Sequence, residues 1–258
     1  VRRNTVEYNV AGIEIENSIL ADVYDNWTAY NTAGILVFDL PNLPVYGGRN
    51  TRVFNNVVFD NSTKNFAPKG NIVGIVPSGT GLMVMANDEI EIFGNLVRNH
   101  GTASLVVVSY LVTEIPLTDA NYEPYPESLW VHHNRFENPD RWYLDGSDFN
   151  LLPNLLFDMD PPEIIVDGIA KTYNTQADAD AGQSCFAHNT NARQAAIRVG
   201  SMNLASGNTN LLGLPSGPAL YDEPQYNCQR NGLPPITVDD WPSAVQTHAK
   251  SRQIELCK

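Results

Sequence analysis

Two pairs of aspartates, Asp145/Asp148 and Asp158/Asp160, stand close enough in the chain to act as paired carboxylates. Cleaving a glycosidic bond takes one carboxyl that gives up a proton and a second that is ionised, and no cofactor. On a strand, Asp158 and Asp160 would share one face about 7 Å apart. Their hard oxygens would equally suit Ca2+. Lyase or epimerase chemistry on uronic acids needs a cation to neutralise a carboxylate and a base beside the acidic proton. Arg52, Lys64 and Lys69, with Arg98 and His100 further along, are the basic grouping along the regular repeats, and the alternative role for Arg52 and Lys69 is solvated edge charge. Tyr46, Phe66 and Tyr122 offer rings on which sugars could stack. His133 and His188 could share a metal or a proton if the fold brings them together. No G-x-S-x-G and no P-loop occurs, which removes serine-nucleophile and nucleotide-phosphate chemistry.

Whether any of these residues meet depends on a repeat. Asn4, Asn26, Asn56, Asn95 and Asn134, with Asn189 as a weaker sixth, recur at intervals of 22, 30, 39, 39 and 55 residues. Three positions before them stand Val1, Val23, Val53, Ile92, Val131 and Phe186; two positions after the first five stand Val6, Thr28, Val58, Val97 and Phe136. Positions between, such as Tyr24, Phe54, Phe93 and His132, read as freely variable. This alternation is a strand with one buried face. A second strand column runs through Ile13, Ile35, Leu82 and Leu105 and continues in Ile15, Val37, Val84 and Val107.

A repeat this short has room for three strands and three bends, and no segment sustains a helical period. The expected architecture is all-β: a right-handed parallel β-helix, a solenoid with loop insertions and an irregular C-terminal wrap. Residues 1–140 should form regular coils, 141–191 the last irregular coils and 192–258 a non-repetitive cap. The asparagines should mark left-handed corners and form ladders from coil to coil. Val1 falls inside a strand, so further coils are expected before it. In this register His133 and His188 share a column, with His132 pointing the other way.

Insertions at Leu40–Asn50, Ser62–Thr80 and Tyr110–Ser128 are rich in Pro, Gly and Asn and read as loops, the first and third leaving the same strand column. Outward positions Leu36, Met83 and Val106 are apolar, so a loop or the tail should cover them; left open, they would be a face for a protein partner. One more strand is expected at Leu155–Phe157, a loop at Asp178–Gly182 and a helical stretch at Ala244–Leu256.

The chain has 16 basic and 29 acidic residues, a net charge of −13, which argues against nucleic acid as a partner. No apolar run is long enough for a membrane span. Cys185, Cys228 and Cys257 all follow the regular repeats. A disulfide among them would pin the irregular wrap and point to an extracytoplasmic setting, periplasmic, cell-surface or secreted.

The segments "NTVEYNVAGIEIENS", "GILVFDLPNLP", "GNIVGIVPSGTGLMVMANDEIEIFGN" and "SLVVVSYL" resemble a bacterial family of parallel β-helix repeat-containing proteins. The resemblance is close over about residues 1–115 and looser through "HHNRFENP". It implies the β-helix fold, an export signal and further coils before Val1, and carries no established reaction. More distantly the fold is shared with pectate and alginate lyases, mannuronan epimerases and a periplasmic protein of nitrous-oxide reduction. The epimerase motif Tyr-Gly-x-Asp-Pro-His does not occur here. Two functions are expected to compete. One is an exported protein that binds, and as an enzyme would modify, an extracellular polysaccharide in a groove under the loops. The other is a non-catalytic structural or assembly module that docks through Leu36, Met83 and Val106.

Overall fold

The computed structural model describes residues 1–68, 70–138, 155–157, 160–204 and 224–237. Among these the chain is mostly β and forms three sheets, in which every strand-to-strand pair is parallel. The first sheet holds Thr5–Glu7, Trp27–Ala29, Val57–Phe59, Leu96–Arg98, Arg135–Glu137 and Thr190–Asn191. The second holds Ala11–Glu16, Ala33–Phe38, Thr80–Met85, Ala103–Val108, Ile164–Val166 and Val199–Ser201. The third holds Ile19–Tyr24, Arg49–Phe54, Asp88–Phe93 and Trp130–His132. From Thr5 to Glu137 the chain visits the sheets in fixed rotation, so each strand lies on its counterpart from the previous round.

This stacking puts like residues over like. Val23, Val53, Ile92 and Val131 are Cα partners in succession and are fully buried in one file. Ile13, Ile35, Leu82, Leu105, Ile164 and Val199 form a second file inside the second sheet. Parallel strands bring backbone groups into register tier on tier, and the β-branched side chains pack against one another along the interior.

At the corner after the third sheet the asparagines form a continuous ladder. Each one donates both its backbone N–H and its Nδ2 to the Oδ1 of the next: Asn26 to Asn56 at 3.0 and 2.9 Å, Asn56 to Asn95 at 2.9 and 3.0 Å, Asn95 to Asn134 at 3.0 and 2.9 Å. Each Nδ2 also reaches the carbonyl that the preceding tier leaves open, Val23 for Asn56 and Val53 for Asn95, both at 2.9 Å. Asn189 joins on equal terms, accepting from Asn134 at 3.0 and 2.9 Å. The left-handed residue is not the asparagine, as expected, but the one before it: Arg3, Asp25, Asn55, Gly94, His133 and His188 all have positive φ. The asparagine side chain is then free to act as the ladder.

A second ladder five residues further on was not expected. Asn9, Asn31 and Asn61 are linked in the same way, and Asn31 and Asn61 reach the carbonyls of Val6 and Thr28 at 3.0 Å. The next rung in this column is His100. The positions read as freely variable also form a column: Tyr24, Phe54, Phe93 and His132 stack face to face, 4.8, 4.9 and 5.3 Å between ring centres.

The outward apolar strip is covered. Leu36, Met83 and Val106 are buried beneath the 3-10 turns Ile72–Ile75 and Tyr110–Thr113, with Phe157 and Met202 packed alongside. The covering loops are two of the insertions, so these residues are not the open partner face that the docking expectation needs. Residues 155–157 are helical and turn rather than a strand, because Phe157 is drawn under this cover. The strand in that part of the chain is Ile164–Val166. Gln176–Gly182 is a helix rather than a loop, started by Thr175, whose hydroxyl accepts from the Asp178 N–H at 3.1 Å. Val199–Ser201 extends the second sheet into the segment expected to be non-repetitive. The stretch Ala244–Leu256 lies outside the described residues.

Replacing Asn95 by Ala strands two donors of Asn56 in a buried corner. Each buried donor without a partner costs about 1–3 kcal/mol. Urea unfolding of Asn95→Ala should show a loss of roughly 2–5 kcal/mol, against less than about 1 kcal/mol for Asn4→Ala at the exposed end of the same ladder. Equal losses at the two positions would contradict the ladder's role.

Candidate functional site

Seven residues before the ladder asparagines, at the start of the third sheet, the column reads Ile19, Arg49, Asp88, Glu127. Ile19, Arg49 and Asp88 are Cα partners in adjacent tiers. The backbone N–H of Glu127 donates to Asp88 Oδ1 at 3.0 Å, and Glu127 O accepts from Glu89, itself in the left-handed region at φ 51°. Two carboxyl side chains thus sit one above the other at a sheet edge.

The chain returns past that edge after Val166. Lys171 Nζ donates to Glu127 Oε2 at 2.7 Å and pairs with Glu123 at 3.0 Å. The Tyr173 hydroxyl donates to Glu127 Oε1 at 2.5 Å. The helix Gln176–Gly182 forms one wall, tied to the column by the Ser128 N–H on the Gly182 carbonyl at 2.8 Å and by the Ser128 hydroxyl on the Ala181 carbonyl at 2.7 Å. Arg230 donates to the carbonyls of Gln183 and Ala181, and the Cys185–Cys228 disulfide fastens its segment to the third sheet. The result is an open cleft of about 590 Å³ between Arg49, Asp88, Glu127, Lys171, Tyr173 and Arg230. A hollow of about 330 Å³ shares Glu127, Lys171 and Tyr173 with it and runs on to Asp167 and Tyr226.

The electrostatics divide the roles. Burial, reinforced by the neighbouring charge of Glu127, pushes the Asp88 carboxyl up to about 7; the hydrogen bond from the Glu127 N–H and the charge of Lys171 only partly oppose this. Asp88 therefore carries a proton for much of the time near neutrality. For Lys171, burial alone would favour the neutral amine, but the hydrogen bonds and charges of Glu127 and Glu123 outweigh it and hold the ammonium well above the usual lysine range. Burial and the hydrogen bond to Glu127 raise Tyr173 in the same direction. Lysine and tyrosine are thus donors here, and neither is set up as a base. One carboxyl that can give a proton lies beside another that is held by two donors, within an open cleft.

The described residues among those singled out in the sequence lie elsewhere. Arg52 makes a two-pronged pair with Asp22, at 2.8 and 2.6 Å, and lies over the Phe54 ring. Arg98 is on the first sheet, over Phe59 and 3.7 Å from Glu137. His100 is fully buried and serves as the next rung of the second ladder, its Nε2 3.1 Å from the Val58 carbonyl as the amides of Asn31 and Asn61 are from Val6 and Thr28. The carbonyl partner requires the proton on Nε2, and burial lowers the imidazole to about 4, so it stays neutral. Arg52, Arg98 and His100 do not converge, and each has a structural partner; Lys69 lies outside the described residues. Asp160 pairs with Arg198 at 2.8 Å, while Asp158, Asp145 and Asp148 lie outside the described residues. Tyr46 and Phe66 are exposed. Tyr122 is buried, with its hydroxyl on the Asp39 carbonyl at 2.6 Å, so its ring is a loop anchor and not a surface for a sugar.

His133 and His188 are neighbours, as their shared column implies: the His133 N–H donates to the His188 carbonyl at 3.1 Å and their ring centres are 5.4 Å apart. His132 turns toward them, its Nδ1 2.8 Å from that of His133 and its Nε2 3.1 Å from Glu91. Gln229 lies 2.6 Å from His188 Nε2. These contacts engage both ring nitrogens of His132, Nδ1 of His133 and Nε2 of His188. Among the described residues no group of three or more His, Cys, Asp or Glu is placed to hold a metal ion. Cys185 is bonded to Cys228, Cys257 lies outside the described residues, and no described helix is long and apolar enough to cross a membrane.

The described residues define a mostly β chain of three parallel sheets with a carboxyl pair at one sheet edge. Comparison with protein-family models, curated proteins and solved structures gives no match.

The ordinary aspartate value is 3.8, so folded Asp88 keeps a proton that the unfolded chain releases between about pH 4 and pH 7. The native state binds more protons across that window, and stability must fall as pH rises through it. Asp88→Asn keeps the acceptor for the Glu127 N–H and removes the titration. Unfolding measured from pH 4 to pH 8 should cost the parent roughly 2–4 kcal/mol more than Asp88→Asn. Parallel pH profiles would show that Asp88 is not held protonated.

Proposed function

We propose that this chain is part of a right-handed parallel β-helix of an exported protein, and that it binds a polysaccharide in the cleft of Asp88, Glu127, Lys171 and Tyr173 and cleaves it by acid catalysis. The observation that carries the reading is Asp88, a carboxyl raised to about 7 beside a second carboxyl in an open cleft. Asp88 would donate its proton to the oxygen of the glycosidic bond, which then leaves as a hydroxyl. Glu127, held in place by Lys171 and Tyr173, would face the positive charge that develops on the sugar ring. Water then adds to the anomeric carbon, giving the new reducing end, and its proton replaces the one Asp88 gave up.

The polymer is a neutral glycan on this reading. Lys171 is already matched by Glu127 and Glu123, and Arg49 and Arg230 are turned to the carbonyls of Gly47, Gln183 and Ala181. Glu89 and Asp178 add further negative charge to the walls, which disfavours a uronate chain. Elimination chemistry would also need a base, and both Lys171 and Tyr173 are held in their protonated forms. The disulfide supports an oxidising, extracytoplasmic setting. The resemblance to β-helix repeat proteins and the three-sheet stack support the solenoid. The rival reading as an assembly module loses its surface, since Leu36, Met83 and Val106 are buried.

The test is affinity electrophoresis and reducing-end release over a panel of soluble neutral polysaccharides. The parent should be retarded by at least one of them and should release reducing ends at a rate that falls as pH rises through about 7. Asp88→Asn should keep the retardation and lose about 10²–10⁴-fold in rate, the usual worth of a general acid. Retardation without release would reduce the reading to binding alone. Absence of both across the panel would overturn it.

A further inference from the structure

The cover over the second sheet is not sealed. A cavity of about 70 Å³ remains between the sheet and the 3-10 turns of the second and third insertions. Leu36, Met83, Met85, Val106 and Ile165 form its floor, with Met202 beside them, and Ile72, Val76 and Val112 form its roof. Its polar side chains among the described residues are Thr102 and Thr113, and both are engaged. The Thr102 hydroxyl donates to the Ser78 carbonyl at 2.6 Å, and the Thr113 oxygen accepts from the Ile115 N–H at 3.2 Å. A buried water needs two to four polar partners, which this wall does not supply, so the space favours hydrocarbon. The floor is also rich in methionine, whose unbranched side chains adapt to a guest.

Ile72 and Ile75 wall a second hollow on their other side, open to solvent and about 420 Å³ in size. Its rim holds Leu40, Asn42, Asn71, Tyr110 and Ile115, a mixture of apolar groups and neutral amides, with no charged side chain among its described lining residues. The first and third of the insertions that build it are joined: the Asn42 N–H donates to Asp119 at 3.3 Å, and Tyr122 anchors the third insertion on Asp39. Around the loops Leu43, Tyr46, Phe66, Ile115 and Leu117 are exposed, more apolar surface than these loops need to fold. An apolar inner compartment thus sits behind an open outer one with no charge among its described lining residues, with the short turn Ile72–Ile75 between them.

We propose that this is a binding site for an uncharged amphiphile with a linear hydrocarbon chain. The chain end enters between Met83, Val106 and Met202, and the polar head stays in the outer hollow beside Asn42 and Asn71. The site is separate from the carboxyl cleft and independent of the glycan reading.

The probe is 1-decanol, titrated below its solubility limit into the full chain carrying 13C-methyl methionine. The methyl signals of Met83, Met85 and Met202 should shift together and saturate. Met83→Phe and Val106→Phe each fill the cavity and should weaken the titration at least tenfold while the thermal unfolding transition persists. Methionine signals that do not move up to the solubility limit would overturn the proposal. So would an affinity unchanged in a folded filling variant. Should both variants fail to fold, the parent's titration decides alone: saturating shifts at all three methionines support the site, and a linear drift refutes it.

Discussion

A buried amide or carbonyl must find a partner, and in this molecule that requirement acts at every corner. Strand pairing satisfies the backbone within each sheet, but between sheets the chain turns and its groups would be orphaned. The asparagine ladder meets the demand with one side chain per tier: Oδ1 takes two donors from the tier before, and Nδ2 returns to a carbonyl there. Because each rung is both donor and acceptor, the ladder holds only if tiers are in register. The apolar files of Val23, Val53, Ile92 and Val131 follow from the same registration.

The same rule explains how His100 and Arg52 are engaged. His100 looks like a catalytic group until its column is known; it then proves to be a rung in which an imidazole N–H replaces an amide. Arg52 is spent on Asp22 and the Phe54 ring. The column Tyr24, Phe54, Phe93 and His132 consumes its own faces in stacking. Regular columns in this protein stabilise themselves. Groups with unusual chemistry arise where a column meets irregular chain, as Asp88 and Glu127 meet the segment of Lys171 and Tyr173.

That meeting accounts for the character of the cleft. Stacking two carboxyl side chains in adjacent tiers brings like charges together, and burial by the returning segment makes the second charge costly. The strain is relieved unevenly: Glu127 takes the lysine and tyrosine donors, whereas Asp88 has a backbone N–H and is left to hold a proton. An asymmetric pair results from symmetric positions. The irregular segment is itself held by the disulfide and by Arg230, so the roles of the two carboxyls depend on chain distant from both.

Much of this was legible in the sequence, and the reason is the period. Alternation about the asparagines and the second apolar column pointed to two strand columns, the first of which the structure divides at the asparagine between the third sheet and the first. The shared column of His133 and His188 implied a contact only if their tiers are adjacent, as they are. The file Arg49, Asp88, Glu127 was also present, seven positions before the ladder, but column neighbours alone do not reveal which pair is buried. Local pattern failed where tertiary contacts decide conformation: Phe157 drawn beneath a cover, Gln176–Gly182 closed into a helix by its Thr175 cap, and Tyr122 turned inward to the Asp39 carbonyl. Sequence by itself determined the repeat, because each tier repeats the same local demands. Tertiary structure alone decided the site, because Lys171 and Tyr173 belong to no column and reach Glu127 only through the return of the chain.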